Sequence, residues 1–180
     1  MASVLAVLVW AFAGTWLSSQ GVPPTPTVVQ QIQRLQRLET VIYSMDTIVQ
    51  GGTDSRYLPR ILAGDRLLLM VYGESTAGID LSRLTTANVT LVGRAIVITL
   101  PPPELFSTRL DNARTQIFSR QTGLFSRVDP QLESEVRRAA EVQLRQAALD
   151  RGILPTAAAN ARTTVGQILS GLGFGPIDVR

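Results

Sequence analysis

Two carboxylates, Glu74 and Asp80, flank the segment STAGI, and their spacing is the feature of this chain that best fits acid–base chemistry. A hydrolase can use two such groups in one cleft, one as general acid and the other as general base. A structural interpretation competes with this one and is favoured. Glu74 then ends a strand in solvent, and Asp80 caps a helical turn within GIDLSRL (78–84). Gly78 makes the turn out of the strand, and Leu81 and Leu84 bury the apolar side of that turn.

The composition removes most other catalytic groups and metal ligands. The chain has 180 residues with no Cys and no His, and all 17 basic residues are Arg. It therefore lacks a thiolate nucleophile, a disulfide and the usual base partner of a nucleophilic Ser. A metal site would need oxygen ligands alone, and no D-x-D-x-D-G calcium loop occurs. We expect no catalytic, cofactor-binding or metal-binding residues, and a protein that is not an enzyme.

Signatures for nucleotide and nucleic-acid binding are also missing from the sequence. The glycine-rich run GLGFG (171–175) closes a predicted helix, whereas a phosphate-binding loop opens one. The net charge is only +3, and the Arg residues are scattered among 14 acidic residues. Nucleic-acid binders instead show a basic patch with interleaved aromatic residues. We expect no nucleic-acid partner, and the absence of Lys indicates codon bias in a GC-rich genome.

The first 17 residues, MASVLAVLVWAFAGTWL, are uncharged and reach about the lower length limit of a membrane-spanning helix. Trp16 lies near their end, where an interfacial aromatic residue is expected. The alternative is a signal peptide cleaved after Ala11-Phe12-Ala13, but such peptides begin with basic residues and none precedes Arg34. We favour an uncleaved single-pass anchor over residues 1–17, in the cytoplasmic membrane.

A proline-rich linker follows the anchor and leads to the folded part. Residues 18–27, SSQGVPPTPT, predict an extended linker, and residues 28–180 predict a single domain. The Arg residues that follow the anchor weakly favour a cytoplasmic domain, whereas the export-type N-terminus points outward. We favour the outer side of the cytoplasmic membrane.

The first half of the folded part predicts one helix and a set of strands. Thr25-Pro26 starts a short helix that continues to about Gln36. From Glu39 the apolar residues alternate, which predicts a long strand that ends at Gly51-Gly52. The apolar run 67–72 predicts a strand that is buried on both faces. Two hairpins are expected next, one joining 89–92 to 95–100, and one joining 104–110 to 114–119 around residues 111–113.

The last third of the sequence predicts two helices. Asp129-Pro130 starts a helix that runs to Asp150, with Glu133, Arg137, Glu141 and Arg145 spaced by four on its solvated side. The second helix runs from about Ala157 to Leu172, and Gly173 ends it. Residues 175–179 can return as a short strand. The predicted class is α+β: a mostly antiparallel sheet with a short N-terminal helix and two C-terminal helices packed on one face, preceded by the hydrophobic helix 1–17.

Six blocks of sequence, taken in order, resemble one known bacterial family. The blocks are QIQRLQRLET (31–40), AGIDLSRL (77–84), VITLPPPEL (97–105), RQTGLF (120–125), AALDRGIL (147–154) and LGFGPIDV (172–179). They resemble the family catalogued as domain of unknown function 4230, over about residues 27–180. Its members are similar to this chain in carrying an N-terminal hydrophobic segment ahead of one domain. The resemblance implies no activity and transfers no catalytic residue, and this chain departs from it in lacking basic residues before the anchor.

Three hypotheses for the function come from these features. The leading one is a membrane-anchored, non-enzymatic interaction or scaffold domain, which contacts a protein partner or further copies of itself beside the membrane. The second is a carboxylate-dependent hydrolase of envelope polymers that uses Glu74 and Asp80. The third is a stomatin-like oligomeric membrane organiser, because the anchor, the β-rich body and the helix rich in Ala, Glu and Arg follow in a similar order.

Overall fold

The computed structural model describes residues 25–54 and 64–180, which form three helices, seven strands and two short 3-10 turns. The elements in chain order are α1 (Thr25–Gln33), β1 (Arg37–Asp54), β2 (Gly64–Asp80), the turns Leu81–Arg83 and Thr86–Asn88, β3 (Val89–Val92), β4 (Ala95–Ile98), β5 (Glu104–Leu110), β6 (Gln116–Thr122), α2 (Leu132–Asp150), α3 (Ile153–Gly171) and β7 (Ile177–Val179). The predicted α+β class, with mostly antiparallel strands and two C-terminal helices, is confirmed.

The predicted anchor 1–17 lies outside the described residues, as does the predicted linker up to residue 24. The last three residues of that linker, 25–27, belong to α1. None of the helices in the described ranges combines the length and the apolar character needed to cross a bilayer.

A long antiparallel hairpin of β1 and β2 organises the larger sheet. Its register runs from Arg37 opposite Asp80 to Asp54 opposite Gly64, with one bulge at Thr40. On the other side of β2, β5 pairs with residues 73–78 and β6 with residues 65–70, both antiparallel to β2. The strand β1 therefore forms one edge of the large sheet, and β5 and β6 share the other edge.

The predicted hairpin between β5 and β6 is wrong, because the two strands lie end to end along β2 and run in the same direction. Asp111 explains the connection between them. Its carboxylate accepts hydrogen bonds from the N–H groups of Ala113 and Arg114, and its carbonyl accepts one from Thr115. This compact turn shifts the chain sideways without reversing it, and the 17 residues of β2 are long enough to pair with both strands.

The helices cover only one face of the large sheet, so the prediction that residues 67–72 are buried on both faces is wrong. Leu67, Leu69 and Val71 are fully buried beneath α2 and α3. The alternate residues of β2, among them Leu68 and Met70, point to the opposite face and are only half-buried. We call that uncovered side the open face of the sheet.

Gly51 and Gly73 allow α2 to lie close to the large sheet. The expected strand end at Gly51-Gly52 is wrong, since β1 continues to Asp54. A Cβ atom on Gly51 would overlap Cγ2 of Val136, and one on Gly73 would lie 2.5 Å from Cδ1 of Leu144. Glycine at these positions serves helix–sheet packing and does not end the strand.

A second, smaller sheet completes the fold at one end of the long hairpin. Its strand order is β3-β4-β7, with β3 antiparallel and β7 parallel to β4, so the predicted hairpin 89–100 and the predicted last strand are confirmed. A second hydrophobic cluster lies under this sheet and includes α1, the end of β2 and the C-terminal half of α3. Because α3 contributes Ala157 to the first cluster and Ala161 to the second, this helix joins the two cores.

Three helix boundaries differ from the prediction by two to four residues: the end of α1 and the starts of α2 and α3. The α2 helix begins after Gln131, although the Asp129 side chain still accepts a hydrogen bond from the Gln131 N–H at 2.8 Å. The α3 helix begins at Ile153, where Gly152 (φ 76°) turns the chain directly from one helix into the next. Pro155 fits in the first turn of α3, where its missing N–H costs nothing. The predicted stop at Gly173 is confirmed by its φ of 82°.

Candidate functional site

The structure does not bring Glu74 and Asp80 together. Both lie on β2, where six residues of strand correspond to roughly 20 Å. Paired carboxylates of glycoside hydrolases are about 5–9.5 Å apart. Each residue also lines a different depression, Glu74 beside Ser44 and Asp80 beside Arg37 and Ser82. The two groups therefore do not form the acid–base pair that a carboxylate-dependent hydrolase would need.

Asp80 is a cap, as the structural interpretation of GIDLSRL predicts. It is the N-cap of the 3-10 turn Leu81–Arg83, and one carboxylate oxygen accepts hydrogen bonds from the N–H (3.1 Å) and the hydroxyl of Ser82. The hydrogen bond from the Ser82 hydroxyl lowers the pKa of Asp80, and the charge of Arg83 lowers it further. Leu81 and Leu84 are buried in the second cluster. The contacts of the Asp80 carboxylate with Ser82 and Arg83 all lie within this turn and stabilise it.

Gly78 has a role that differs from the predicted one. It stays inside β2 and does not turn the chain out of the strand. A Cβ atom at this position would overlap the carbonyl oxygen of Leu38 and lie 2.8 Å from the Phe106 ring. The Phe106 ring also lies 4.1 Å below the guanidinium of Arg37. The absence of a side chain at Gly78 thus lets β1 and Phe106 close over the end of β2.

Glu74 lies in a shallow polar cavity of about 280 Å³ on the open face. The cavity is lined by parts of β1 and β2 and by the turn between β5 and β6, with the residues Ser44, Met45, Asp46, Tyr72, Gly73, Glu74, Asp111 and Arg114. The Ser44 hydroxyl donates to Glu74 at 3.3 Å, and the Arg114 guanidinium stacks 4.3 Å from the Tyr72 ring. These groups can hydrogen-bond and pair with charges on a partner. Within the described ranges, no cluster of acidic side chains has the arrangement of a metal site.

Sequence reasoning missed a buried ionic network around Asp65. This side chain is 1% exposed, and it forms an ion pair with Arg120 that includes a second hydrogen bond of 3.2 Å from Nε. The Thr122 hydroxyl and the Asp129 N–H each donate to Asp65 at 2.9 Å, and Arg120 also donates to the Asp129 carbonyl. The Arg120 hydrogen bond is the main reason that the pKa of Asp65 is lowered to about 2.

The Asp65 network is structural, because all its partners are parts of the scaffold. It ties the start of β2 to β6 and to the segment before α2. The sequence does contain a signal for it: Asp65 shares the alternation of Leu67, Leu69 and Val71, so it had to face the core. A single sequence does not show which Arg would reach it.

The open face carries the other unusual feature, which is apolar exposure. Ile42 is 57% exposed and Ile48 is 55% exposed, both on the outward side of β1. Ile48 lies opposite Met70, and Leu68 is the next outward residue of β2, so these three side chains form an apolar stripe at one end of the polar cavity, and Ile42 lies beyond the other end of the cavity. A helix covers the opposite face, but no element of the described chain covers this stripe.

Comparison with known proteins gives a family but no activity. No curated protein matches the chain. No solved structure matches it either. A family model with the description "Protein of unknown function (DUF4230)" matches residues 30–179, which is most of the chain and nearly all of the described domain. The chain therefore belongs to this family, as its six sequence blocks predict.

Proposed function

We propose that this chain is a membrane-anchored, non-enzymatic interaction domain, and that the open face of its large sheet meets a protein partner beside the membrane. The observation that carries the proposal is the apolar stripe on that face. An antiparallel sheet with one face in water normally carries mostly polar residues there. Large apolar side chains grouped on an exposed surface are typical of interaction sites. Here Ile42 and Ile48 are both more than half exposed.

The polar cavity next to the stripe supports the same use. Protein interfaces combine an apolar centre with a polar rim, and aromatic and Arg side chains are enriched in them. Tyr72 and Arg114 are already stacked on each other at the cavity wall, so little conformational freedom remains to be lost on binding. Asp46, Glu74 and Asp111 supply acceptors around them.

Support for the membrane anchor comes from the sequence. Residues 1–17 are uncharged, and the proline-rich residues 18–24 would hold the domain within a few nanometres of the bilayer. We propose that the domain lies on the outer side of the cytoplasmic membrane, because its N-terminus is of the export type. Catalysis is disfavoured because the carboxylates with the best spacing, Glu74 and Asp80, line separate depressions.

Site-specific photo-crosslinking in intact membranes tests the interaction surface. A photoreactive amino acid replaces Ile48 on the open face, and in a matched control it replaces Val142, which is 67% exposed on α2, behind the covered face. We expect discrete crosslinked protein products from position 48 and none from position 142. No product at position 48, or the same products from both positions, would rule out the open face as the interaction surface.

A further inference from the structure

We infer that a second copy of this chain is a protein partner of the domain, and that it joins through the edge strand β1 so that two large sheets become one and their open faces lie side by side. The inference rests on the proposed function and names one protein partner for the domain. In this arrangement the two β1 strands run antiparallel, with Met45 of one copy opposite Met45 of the other. A two-fold axis through this point gives both copies the same environment, as in most homodimers.

The outer edge of β1 is available for such pairing. All of β1 pairs with β2 on one side, and no strand of the described chain pairs with it on the other. Only the beginning of the strand is covered: at the bulge, Asn160 of α3 donates to the Thr40 carbonyl, and the Thr40 hydroxyl donates to the Ala157 carbonyl. Beyond Thr40 the register continues without a further irregularity to Asp54.

Beyond the bulge at Thr40, this edge also lacks most of the features by which proteins prevent strand pairing. Natural edge strands are protected by Pro, by Lys or other charges, by bulges or by being short. Between Val41 and Gln50 there is no Pro and no basic residue, and Asp46 is the single charge. The edge is long, regular and nearly uncharged, which favours pairing with another strand.

The sequence of β1 is complementary to itself about Met45. In the proposed register Ile42 of each copy lies opposite Ile48 of the other, which places the most exposed apolar side chains of β1 in two cross-strand pairs. Ser44 lies opposite Asp46, so its hydroxyl can donate to the carboxylate. The one unfavourable contact is between the two Asp46 carboxylates, which are diagonal neighbours.

The same register matches the residues on the covered side of the sheet. Val41 lies opposite Val49 and Tyr43 opposite Thr47, so β-branched and aromatic residues meet across the new ladder. Each residue meets a residue that points to the same face, and therefore the open faces of both copies join into one continuous surface. An unrelated peptide strand could also pair with this edge. Pairing with such a peptide, however, would not require the sequence of β1 to be complementary to itself.

The size of the contact indicates that the pairing is weak in dilute solution. Residues 41–49 form a single strand, whereas standard interfaces use roughly 20–30 residues of each partner. Anchoring two copies in one membrane raises their effective concentration and favours an otherwise weak contact. We therefore expect pairing in the membrane.

Disulfide crosslinking in membranes tests the register directly, because the chain has no Cys of its own. Full-length Ile42→Cys and Ile48→Cys variants with different tags are produced alone and together, and the membranes are mildly oxidised. In the proposed register residue 42 lies about 5 Å from residue 48 of the second copy. Two copies of the same variant hold their cysteines roughly 20 Å apart. We expect a disulfide-linked dimer only when both variants are present.

The control and the contrary outcomes separate this inference from the proposed function. Val142→Cys, on the far side of the molecule, is expected to form no dimer in any combination. A dimer from Ile42→Cys alone or Ile48→Cys alone would overturn the register, and equal crosslinking of Val142→Cys would show random collision and overturn the pairing. No dimer at all would also overturn the pairing, while photo-crosslinking of position 48 to a different protein would leave the proposed function intact.

Discussion

At the scale of single residues, Asp65 is the one buried charged side chain among the described residues of the domain. A buried carboxylate is tolerated only when its charge and its hydrogen-bond acceptors are all paired. Asp65 meets this condition through Arg120, Thr122 and the backbone of Asp129. Removal of one partner would leave an uncompensated charge in the core, so the network fixes the position of β6 and of the chain entering α2.

The lowered pKa of Asp65 predicts a loss of stability in acid. The pKa is about 2 in the folded chain, against 3.8 as the ordinary value. The stabilisation is therefore complete above pH 4 and disappears as the pH falls from about 4 to 2, which removes about 2 kcal/mol from the free energy of unfolding. Denaturant unfolding at pH 6 and pH 2.5 measures this loss.

The Asp65→Asn variant distinguishes the contribution of this carboxylate to the acid sensitivity from that of the other acidic groups. The variant is expected to be less stable at pH 6 by about 3 kcal/mol, because Arg120 loses its charged partner, and to lose less stability on acidification than the original chain. Asp150→Asn, an exposed control at the end of α2, is expected to keep the original acid sensitivity. An unchanged pH dependence in Asp65→Asn would show that other carboxylates cause the acid lability.

Residue types predicted local roles better than they predicted distant partners. The cap at Asp80 is confirmed because capping involves residues within a few positions of each other. The role of Gly78 is different from the prediction because it depends on Leu38 and Phe106, which are distant in the sequence. The partners of Asp65 were missed for the same reason, and so was the cavity around Glu74, which needs three separate segments.

At the scale of elements, the alternation of apolar residues predicted most strands. It failed where strand pairing or helix packing determines how a strand is connected or where it ends. An Asp-Asn turn between two short strands is typical of a hairpin. The long strand β2 offers an edge to both β5 and β6, however, so the turn at Asp111 only displaces the chain. Likewise, Gly51-Gly52 is typical of a strand end, because a sequence does not show that a helix lies across Gly51.

Gly51→Ala tests the close packing of α2 on β1. The added methyl group overlaps Val136, so α2 must shift, and we expect a loss of about 1–3 kcal/mol in the free energy of unfolding. The matched control is Gly171→Ala at the end of α3, where a Cβ atom meets nothing within 4 Å. That variant is expected to be neutral or to gain up to about 1 kcal/mol. Equal effects in chemical denaturation would mean that Gly51 does not determine the packing.

At the scale of the whole molecule, the two faces of the large sheet differ in what covers them. Two hydrophobic cores joined by α3 hold the long hairpin rigid from one side, and the other side is left open. The α+β class and the number of helices in the domain were predicted from the sequence. The division into two sheets and the existence of the open face were not, because they depend on which elements pack together.

The central claim is that this chain holds an interaction domain at a membrane, and cell fractionation with protease protection tests it most directly. The full chain is compared with a variant that lacks residues 1–17, since only the tether differs between them. We predict that the full chain remains with washed cytoplasmic membranes and is cleaved by protease added outside intact spheroplasts, while the shortened chain is soluble. A full chain that is released from the membranes by washing would contradict the account.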